Sequence, residues 1–303
     1  MKAKYHIAQS RVQLSVDRPV RVERLVVVND VRPHDHEFHE LSFFTSGQAT
    51  HVTALGRTRL EVGHAVVIPP GGVHAFRAVR DAKVINVYFL PEWLDPDLNL
   101  LWDEPGAVPL FCSESLVQLG NPEARELLLT KDELTIVDRE LAELSTELAG
   151  QRPSQPFMKS CFLKMAIVLS RVWCRSDPRW RDTLVAPVVR QTLADIERAI
   201  DTGDPFIVAS AARSSGLSTD RLTVVFRKAL GFSPMEFYQR RRVQRACQLL
   251  ANPRLTITDI AMTLGYADTS HFSRTFKKQR RISPRAYRDT YGTKQNSLGI
   301  REQ

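Results

Sequence analysis

The stretch from Ile257 to Arg288 decides the fold of the C-terminal part of this chain, and it reads ITDIAMTLGYADTSHFSRTFKKQRRISPRAYR. Ala261 is small enough for two helices to cross closely, and Gly265 suits the left-handed end of the first helix. Asp268 is a suitable N-cap for the second helix. The spacing therefore predicts a helix-turn-helix unit.

The same pattern occurs a second time, earlier in the chain. Ala212 and Gly216 repeat the spacing of Ala261 and Gly265. The other equivalent pairs are Leu222 with Phe272, Phe226 with Phe276, Ser233 with Ser283 and Pro234 with Pro284, with one extra residue in the second turn. Two short helix-turn-helix units in tandem predict DNA binding.

The distribution of charge supports this prediction. The 303-residue chain has a formal net charge of +8, yet residues 187–303 contain 20 Lys and Arg against 10 Asp and Glu. Residues 1–186 contain 22 against 24, so the basic character belongs to the C-terminal part alone. A basic segment beside a nearly neutral one is typical of a DNA-binding domain joined to a domain with another function.

Burying the apolar positions of each unit leaves an outer face that is expected to meet DNA. The residues on it are Asp220, Thr223, Val224, Arg227, Thr269, Ser270, Ser273, Arg274 and Lys277. Arg274 is expected to contact guanine, and Thr223 or Val224 a thymine methyl group. Lys278, Arg280 and Arg281 are expected to contact phosphate.

One long helix, 234–251, is expected to join the two units and to space their recognition helices along the DNA. Its basic run Arg240–Arg242, with Arg245, has two interpretations: phosphate contacts or a solvated helix face.

The N-terminal part is expected to be a small antiparallel barrel or sandwich. Short segments rich in Val, Leu and Phe alternate with turn residues between about 20 and 90. The expected strands are 21–28, 40–45, 48–54, 58–62, 64–68 and 83–89.

A helical period begins near Asn121, where Asn121-Pro122-Glu123 is a suitable helix start. Leu127, Leu134, Val137, Leu141, Leu144 and Leu148 then follow at spacings of seven, three, four, three and four. This apolar seam packs on the barrel of its own chain or pairs with a second subunit, and its regular period favours a homodimer. A second helix is expected over 157–175.

His34, His36, Glu40 and His74 form the second candidate site. On a strand His34, His36 and Glu40 share one face, so all three can point into a barrel. Three interpretations remain open: hydrogen bonds to the hydroxyls of a small polar molecule, a divalent metal site, or buried histidines with a structural role.

Residues 190–290 resemble the DNA-binding domain of AraC-type transcription factors, with one departure at Arg281, where that family usually has glycine. The histidine region is similar to the two cupin motifs, without the leading glycine of the first and the trailing asparagine of the second. The resemblance implies a sugar-sensing cupin-like barrel, and 28–76 looks most like the rhamnose-regulator branch. It also implies contact of an acidic residue near Asp268 with the RNA polymerase sigma factor.

The expected architecture is α+β with two domains: a cupin-like β-barrel followed by dimerisation helices, then an all-α tandem helix-turn-helix domain. The expected bounds are 1–175 for the sensing domain, 176–187 for a linker, 188–292 for the DNA-binding domain and 293–303 for a disordered tail. The absence of a long apolar run or a secretory signal, with four scattered cysteines and no CxxC pair, predicts a cytoplasmic protein with no membrane contact.

These features predict a sequence-specific DNA-binding regulator, an activator, that responds to a small effector such as a sugar or sugar acid. No catalytic residues are expected. Two alternatives stay open: a metal-dependent cupin enzyme fused to a DNA-binding module, and a ligand-independent regulator whose barrel is only a dimerisation scaffold.

Overall fold

The computed structural model describes residues 3–15, 18–94, 100–101, 104–111, 123–177 and 186–291. Within these ranges, eight strands form one sheet in the N-terminal half, and the C-terminal half is helical. The strands are β1 (Tyr5–Ile7), β2 (Val20–Val27), β3 (Val31–His36), β4 (His39–Val52), β5 (Arg57–Glu61), β6 (His64–Ile68), β7 (His74–Phe89) and β8 (Arg125–Leu128). The predicted α+β architecture is confirmed.

The two longest strands, β4 and β7, form the spine of the barrel and pair with each other along most of their length. β7 also pairs with β2 and β3, while β4 also pairs with β5 and β6. The sequence predicted two strands, 40–45 and 48–54, where β4 is continuous. The register shifts between Phe44 and Ala49 instead, so the polar segment around Gly47 is a bulge and not a turn.

Alternate residues of β4 and β7 face two different environments. Leu41 and Phe43 on β4, with Val87 and Phe89 on β7, belong to the core that packs against the following helices. The residues between them face the barrel interior, where they line a cavity. The strand period of two thus decides which side chains can bind anything inside the barrel.

The helices of this half are the short α1 (Pro91–Leu94) and α2 (Ala107–Phe111), and the long α3 (Lys131–Leu148) and α4 (Gln155–Ser176). The long α4 matches the expected helix 157–175. The start predicted near Asn121 is wrong for α3, because Thr130 is its N-cap and forms a capping box with Glu133. Asn121 and Pro122 themselves lie outside the described residues, and Leu127 belongs to strand β8.

The apolar seam packs within the chain. Val137, Leu141 and Leu144 are at most 1% exposed and belong to the same core as Phe162 and Met165 of α4. Leu134 and Leu148 are partly buried against that core, and Leu127 is buried in the sheet. Leu127, Val137, Leu141 and Leu144 are thus covered within their own chain, and a homodimer through the seam stays a prediction.

The C-terminal half contains seven helices within 186–291: α5 (Pro187–Thr202), α6 (Val208–Ser214), α7 (Thr219–Leu230), α8 (Pro234–Leu250), α9 (Ile257–Thr263), α10 (Thr269–Arg280) and α11 (Pro284–Tyr291). The pairs α6–α7 and α9–α10 are the two predicted helix-turn-helix units, joined by the predicted long helix α8. The linker and tail predictions fall largely on 178–185 and 292–303, outside the described residues.

Candidate functional sites

The barrel encloses a cavity of about 160 Å³ with one polar and one apolar end. The apolar lining includes Val27, Val31, Phe44, Phe76 and Val84. The polar lining consists of His34, Glu40, Ser42, His74, Asn86 and Tyr88. Pockets for drug-sized ligands measure roughly 300–1,000 Å³, so this cavity suits a smaller molecule.

Glu40 is the centre of the polar end. Its Oε1 accepts hydrogen bonds from Ser42 Oγ at 2.9 Å and from Asn86 Nδ2 at 2.8 Å. Its Oε2 lies 3.4 Å from His36 Nε2 and 4.0 Å from His74 Nε2. One carboxylate oxygen is thus fixed by hydrogen bonds, and the other faces two imidazoles.

The structure brings together three of the four predicted residues. One ligand atom from each of His36, Glu40 and His74 lies within 4.8 Å of the other two. His34 is outside this group: its Nδ1 bonds Arg32 O at 2.9 Å, and its ring packs between those of Tyr5 and His74. His34 is therefore part of the cavity wall, and the predicted four-residue cluster is a three-residue one.

Burial sets the protonation of this end of the cavity. Burial lowers the pKa of His74 to about 3. Burial raises the pKa of Glu40, whereas contact with His36 and the hydrogen bond from Ser42 lower it, to about 2. At neutral pH, Glu40 is therefore a carboxylate and His74 an uncharged imidazole.

Sequence reasoning missed Ser42, Asn86 and Tyr88. Asn86 Nδ2 also donates to the Tyr88 hydroxyl at 2.8 Å, so these groups form one network with Glu40. The sequence did contain a signal for these residues. Ser42 lies two residues after Glu40 on β4, and Tyr88 lies two residues after Asn86 on β7, so each pair shares one face of its strand.

A larger groove of about 590 Å³ lies between β2 and the turn that joins α3 to α4. Its lining includes Arg21, Leu148 and Pro153. The buried titratable groups, however, converge in the smaller cavity, and such convergence marks a binding site more specifically than volume does. We therefore treat the barrel cavity as the candidate site.

The first recognition helix, α7, begins at the N-cap Ser218 and ends at Gly231, and it buries Leu222 and Phe226. Of its predicted DNA-facing residues, Asp220, Val224 and Arg227 are exposed and Thr223 is half-buried. Val224 is 58% exposed, so an apolar side chain lies at the centre of this face. Arg221 and Lys228 share this exposed face and were missed.

The second recognition helix, α10, has Asp268 as N-cap, whose carboxylate accepts a hydrogen bond from His271 N at 2.6 Å. Phe272 and Phe276 are buried beneath it. Of the predicted contact residues, Ser270, Arg274 and Lys277 are exposed, whereas Thr269 and Ser273 are half-buried. His271 and Lys278 are exposed beside them.

Two arginines of α8 have neither of the predicted roles. Arg241 pairs with both carboxylate oxygens of Glu197, at 2.6 and 2.9 Å. Arg242 is 4% exposed, donates to Leu264 O at 2.8 Å and lies 3.5 Å from the ring centre of Tyr266. Both arginines hold helices together, so neither phosphate contact nor a solvated face describes them.

Comparison with protein-family models gives two matches that agree with this architecture. Residues 28–149 match the AraC-like ligand binding domain, and residues 211–290 match a helix-turn-helix domain. The chain is therefore an AraC-type regulator: a DNA-binding protein with its own ligand-binding domain.

Two relatives align with this chain over nearly its whole length. The chain is 22% identical over 279 residues to the HTH-type transcriptional activator RhaR of Mannheimia succiniciproducens, covering 92% of this chain and 94% of that protein. It is 26% identical over 282 residues to RhaR of Shigella dysenteriae serotype 1, covering 88% and 92%. Both of these relatives are named as transcriptional activators, and both align with this chain across its sheet half and its helical half.

Two solved structures are similar. ToxT from Vibrio cholerae, with a bound unsaturated fatty acid, aligns with TM-score 0.41 at 14% identity and covers 89% of this chain and 94% of that one. An AraC-type DNA-binding domain from Chromobacterium violaceum aligns with TM-score 0.33 at 26% identity, covering 37% of this chain and 96% of that one.

In the described part of the chain, no helix combines the length and apolar character that crossing a bilayer requires.

Proposed function

We propose that a sugar of monosaccharide size binds in the barrel cavity and changes the affinity of the protein for its DNA site. The observation that carries the proposal is the polar network around Glu40, since carboxylate, amide and hydroxyl groups at one end of a small cavity suit a polyhydroxylated molecule. The apolar end suits a deoxygenated carbon or the apolar face of a sugar ring.

The cavity lining favours a neutral sugar over a sugar acid. The lining residues include the carboxylate of Glu40 and no Lys or Arg among the described residues. An anionic ligand would be repelled by Glu40 and would find no basic side chain to pair with. The resemblance of 28–76 to the rhamnose-regulator branch makes rhamnose the first sugar to test.

Regulation requires that the effector bind one state of the protein more tightly than another. The tandem recognition helices supply the DNA-binding side of that coupling, with Arg274 and Val224 as the residues we expect to touch bases. Contact of Asp268 with a sigma factor remains a prediction, because the same carboxylate caps α10.

The alternatives have less support. The named relatives are transcriptional activators, which argues against the alternative of a metal-dependent cupin enzyme fused to a DNA-binding module. A barrel that served only as a scaffold would have no need for a buried polar network around an open cavity, because buried polar groups without ligands reduce stability.

A thermal-shift screen of the full chain tests the proposal. A sugar at 100 times its Kd should stabilise the native state by about 2.7 kcal/mol, with a corresponding rise in Tm. Asn86→Leu should abolish the shift, because it removes a donor from the network and fills part of the cavity. Thr45→Val, on the exposed side of β4, is the matched control and should leave the shift unchanged. A panel of monosaccharides that gives no shift would contradict the proposal.

A further inference from the structure

The outer face of the barrel carries a concentration of arginines. Thr50 of β4 pairs with Arg59 of β5 on one side and with Arg77 of β7 on the other. Directly paired residues project from the same face of a sheet, so both arginines flank Thr50 on one face. The next residues along these strands, Leu60 and Phe76, are buried inside the barrel. Because successive residues of a strand alternate between faces, the two arginines point outward.

Three more arginines extend this row. Arg57 lies two residues before Arg59 on β5. Arg80 lies three residues after Arg77 on β7, and Arg32 lies on β3, which pairs with the same end of β7. Neighbouring strands are about 4.7–4.9 Å apart, so the row from β5 to β3 spans roughly 14 Å. We call this set the barrel arginine patch; its members, all exposed, are Arg32, Arg57, Arg59, Arg77 and Arg80.

The positive charge of the patch is not neutralised within the described part of the chain. None of the five arginines has a carboxylate within ion-pair distance there. Arg59 donates to Gln48 Oε1 at 2.6 Å, and Glu61, which follows on the same strand, accepts from Gln48 Nε2 at 3.1 Å. Counting charges over the whole segment 1–186 hides the patch, because that segment is nearly neutral in sum.

The residue types on this face suit the phosphates of a duplex. Arginine, with hydroxyl and amide side chains such as Thr50 and Gln48, is typical of contacts to the DNA backbone. A single-stranded nucleic acid would also need aromatic side chains on which its bases stack. No exposed residue of β3, β4, β5 or β7 is aromatic, and the structure describes all four strands.

The helical half brings duplex DNA within reach of the patch. The helix-turn-helix units hold DNA on the same chain as the barrel, so the flanking duplex meets the patch at a high effective concentration. The patch also stays accessible, because α1, which packs against α8 of the helical half, follows the opposite end of β7.

We propose that the barrel arginine patch binds the phosphate backbone of duplex DNA that flanks the site read by α7 and α10. This contact adds affinity without sequence preference, since it involves phosphates and no base edges. It requires neither the barrel cavity nor the proposed effector.

The length of the duplex tests the proposal on the full chain. A binding site is first selected from a pool of duplexes with a random core of about 20 bp, or two helical turns. The selected core is then placed in a duplex of that length and in one with about 15 bp, or one and a half turns, added on each side. Each phosphate contact contributes about −0.9 to the slope of log affinity against log salt concentration. The longer duplex should therefore give a slope that is steeper by about 2 or more.

Removal of two charges should cancel most of that difference. In the double variant Arg59→Gln/Arg77→Gln, the slope on the longer duplex should fall by about 2. The loss of affinity between about 50 and 200 mM salt should then shrink about tenfold, while binding to the short duplex stays unchanged. Arg24→Gln is the matched control, because Arg24 is an exposed arginine of β2 outside the patch, without an ion pair in the described part of the chain.

Circular dichroism shows whether each variant is folded, and the comparison of duplex lengths in the unmodified chain does not depend on any variant. Equal slopes on both duplexes for the unmodified chain, or an unchanged slope in the folded double variant, would overturn the proposal. An equal loss on both duplexes would also overturn it, because the arginines would then act at the recognition site. Unchanged DNA binding with reduced transcription in a reconstituted assay would assign the patch to an acidic protein partner instead.

Discussion

The two helix-turn-helix units share a framework and differ in how firmly their turns are held. Gly216 and Gly265 both have positive φ, at +66° and +69°. A Cβ at Gly216 would meet nothing within 4 Å, whereas a Cβ at Gly265 would collide with the backbone oxygen of Gly203. Arg242 also bonds Leu264 O next to that turn. The second unit is thus packed tightly against the rest of the helical half at a place where the first is open.

The exposed faces of the recognition helices differ as well. On α7, Arg227 pairs with Glu236 at 3.4 Å, and the centre of the face is the apolar Val224. On α10, the exposed Arg274, Lys277 and Lys278 have no ion-pair partner among the described residues. We expect the second unit to supply charged contacts to guanine and phosphate, and the first to supply an apolar contact to thymine.

Substitution of the turn glycines should give the largest difference between the two units in the free energy of unfolding. Gly265→Ala should destabilise the protein by about 3–5 kcal/mol, because left-handed strain adds to a backbone collision. Gly216→Ala should cost only the strain, about 1–2 kcal/mol. Urea denaturation followed by circular dichroism measures both, and equal losses would show that the second turn is no more tightly packed than the first.

Loss of the outer arginines should separate the two faces. Arg274→Ala should cost about 1–3 kcal/mol of DNA affinity and relax the preference at one base pair, because a bidentate contact to guanine is lost. Arg227→Ala, the counterpart in the first unit, should cost less, since its guanidinium is already paired with Glu236. Competition binding against operators that carry every single-base change measures this.

In the same assay, Lys278→Ala should weaken binding to all sequences alike and reduce the dependence of affinity on salt. If Arg274→Ala behaved in this way too, Arg274 would be a phosphate contact and the proposed difference between the faces would fail.

Substitutions at the C-terminal ends of the two recognition helices should change the stability of the protein least. Helix α7 ends at Gly231 and α10 ends at Arg281, which has φ of +63°. Arg281→Gly should stabilise the protein by up to about 1 kcal/mol by relieving left-handed strain, and Gly231→Arg should destabilise it by about 1–2 kcal/mol. Thermal denaturation measures both, and a loss of stability in Arg281→Gly would mean that the arginine side chain outweighs the strain.

Local signals explain why the helical half was predictable. Helix starts such as Ser218 and Asp268, and ends such as Gly231, are set by hydrogen bonds between residues close in sequence. Arg281, where glycine is usual in the family, adopts the left-handed conformation itself and ends α10. By contrast, the bulge in β4 and the strand β8 depend on pairing with distant strands, which no local pattern specifies.

The candidate cavity site was predicted only in part. Strand parity correctly placed His34, His36 and Glu40 on the inner face. Parity gives no distances, however, so it did not show that His34 lies outside the cluster of His36, Glu40 and His74. For the apolar seam on α3, the sequence predicted the buried face but not the partner that covers it. Its period correctly predicted a buried helix face on α3, yet a period is the same whether the partner is another chain or α4.

The sequence by itself determined the helix-turn-helix units, the segregation of charge and the inward-facing histidines, because caps, composition and the strand period are properties of neighbouring residues. Only the tertiary structure decided that Ser42 and Asn86 orient Glu40, that Arg242 braces the second unit and that the α3 seam is covered by α4. These contacts join residues far apart in the chain, and their formation depends on how the whole fold closes around them.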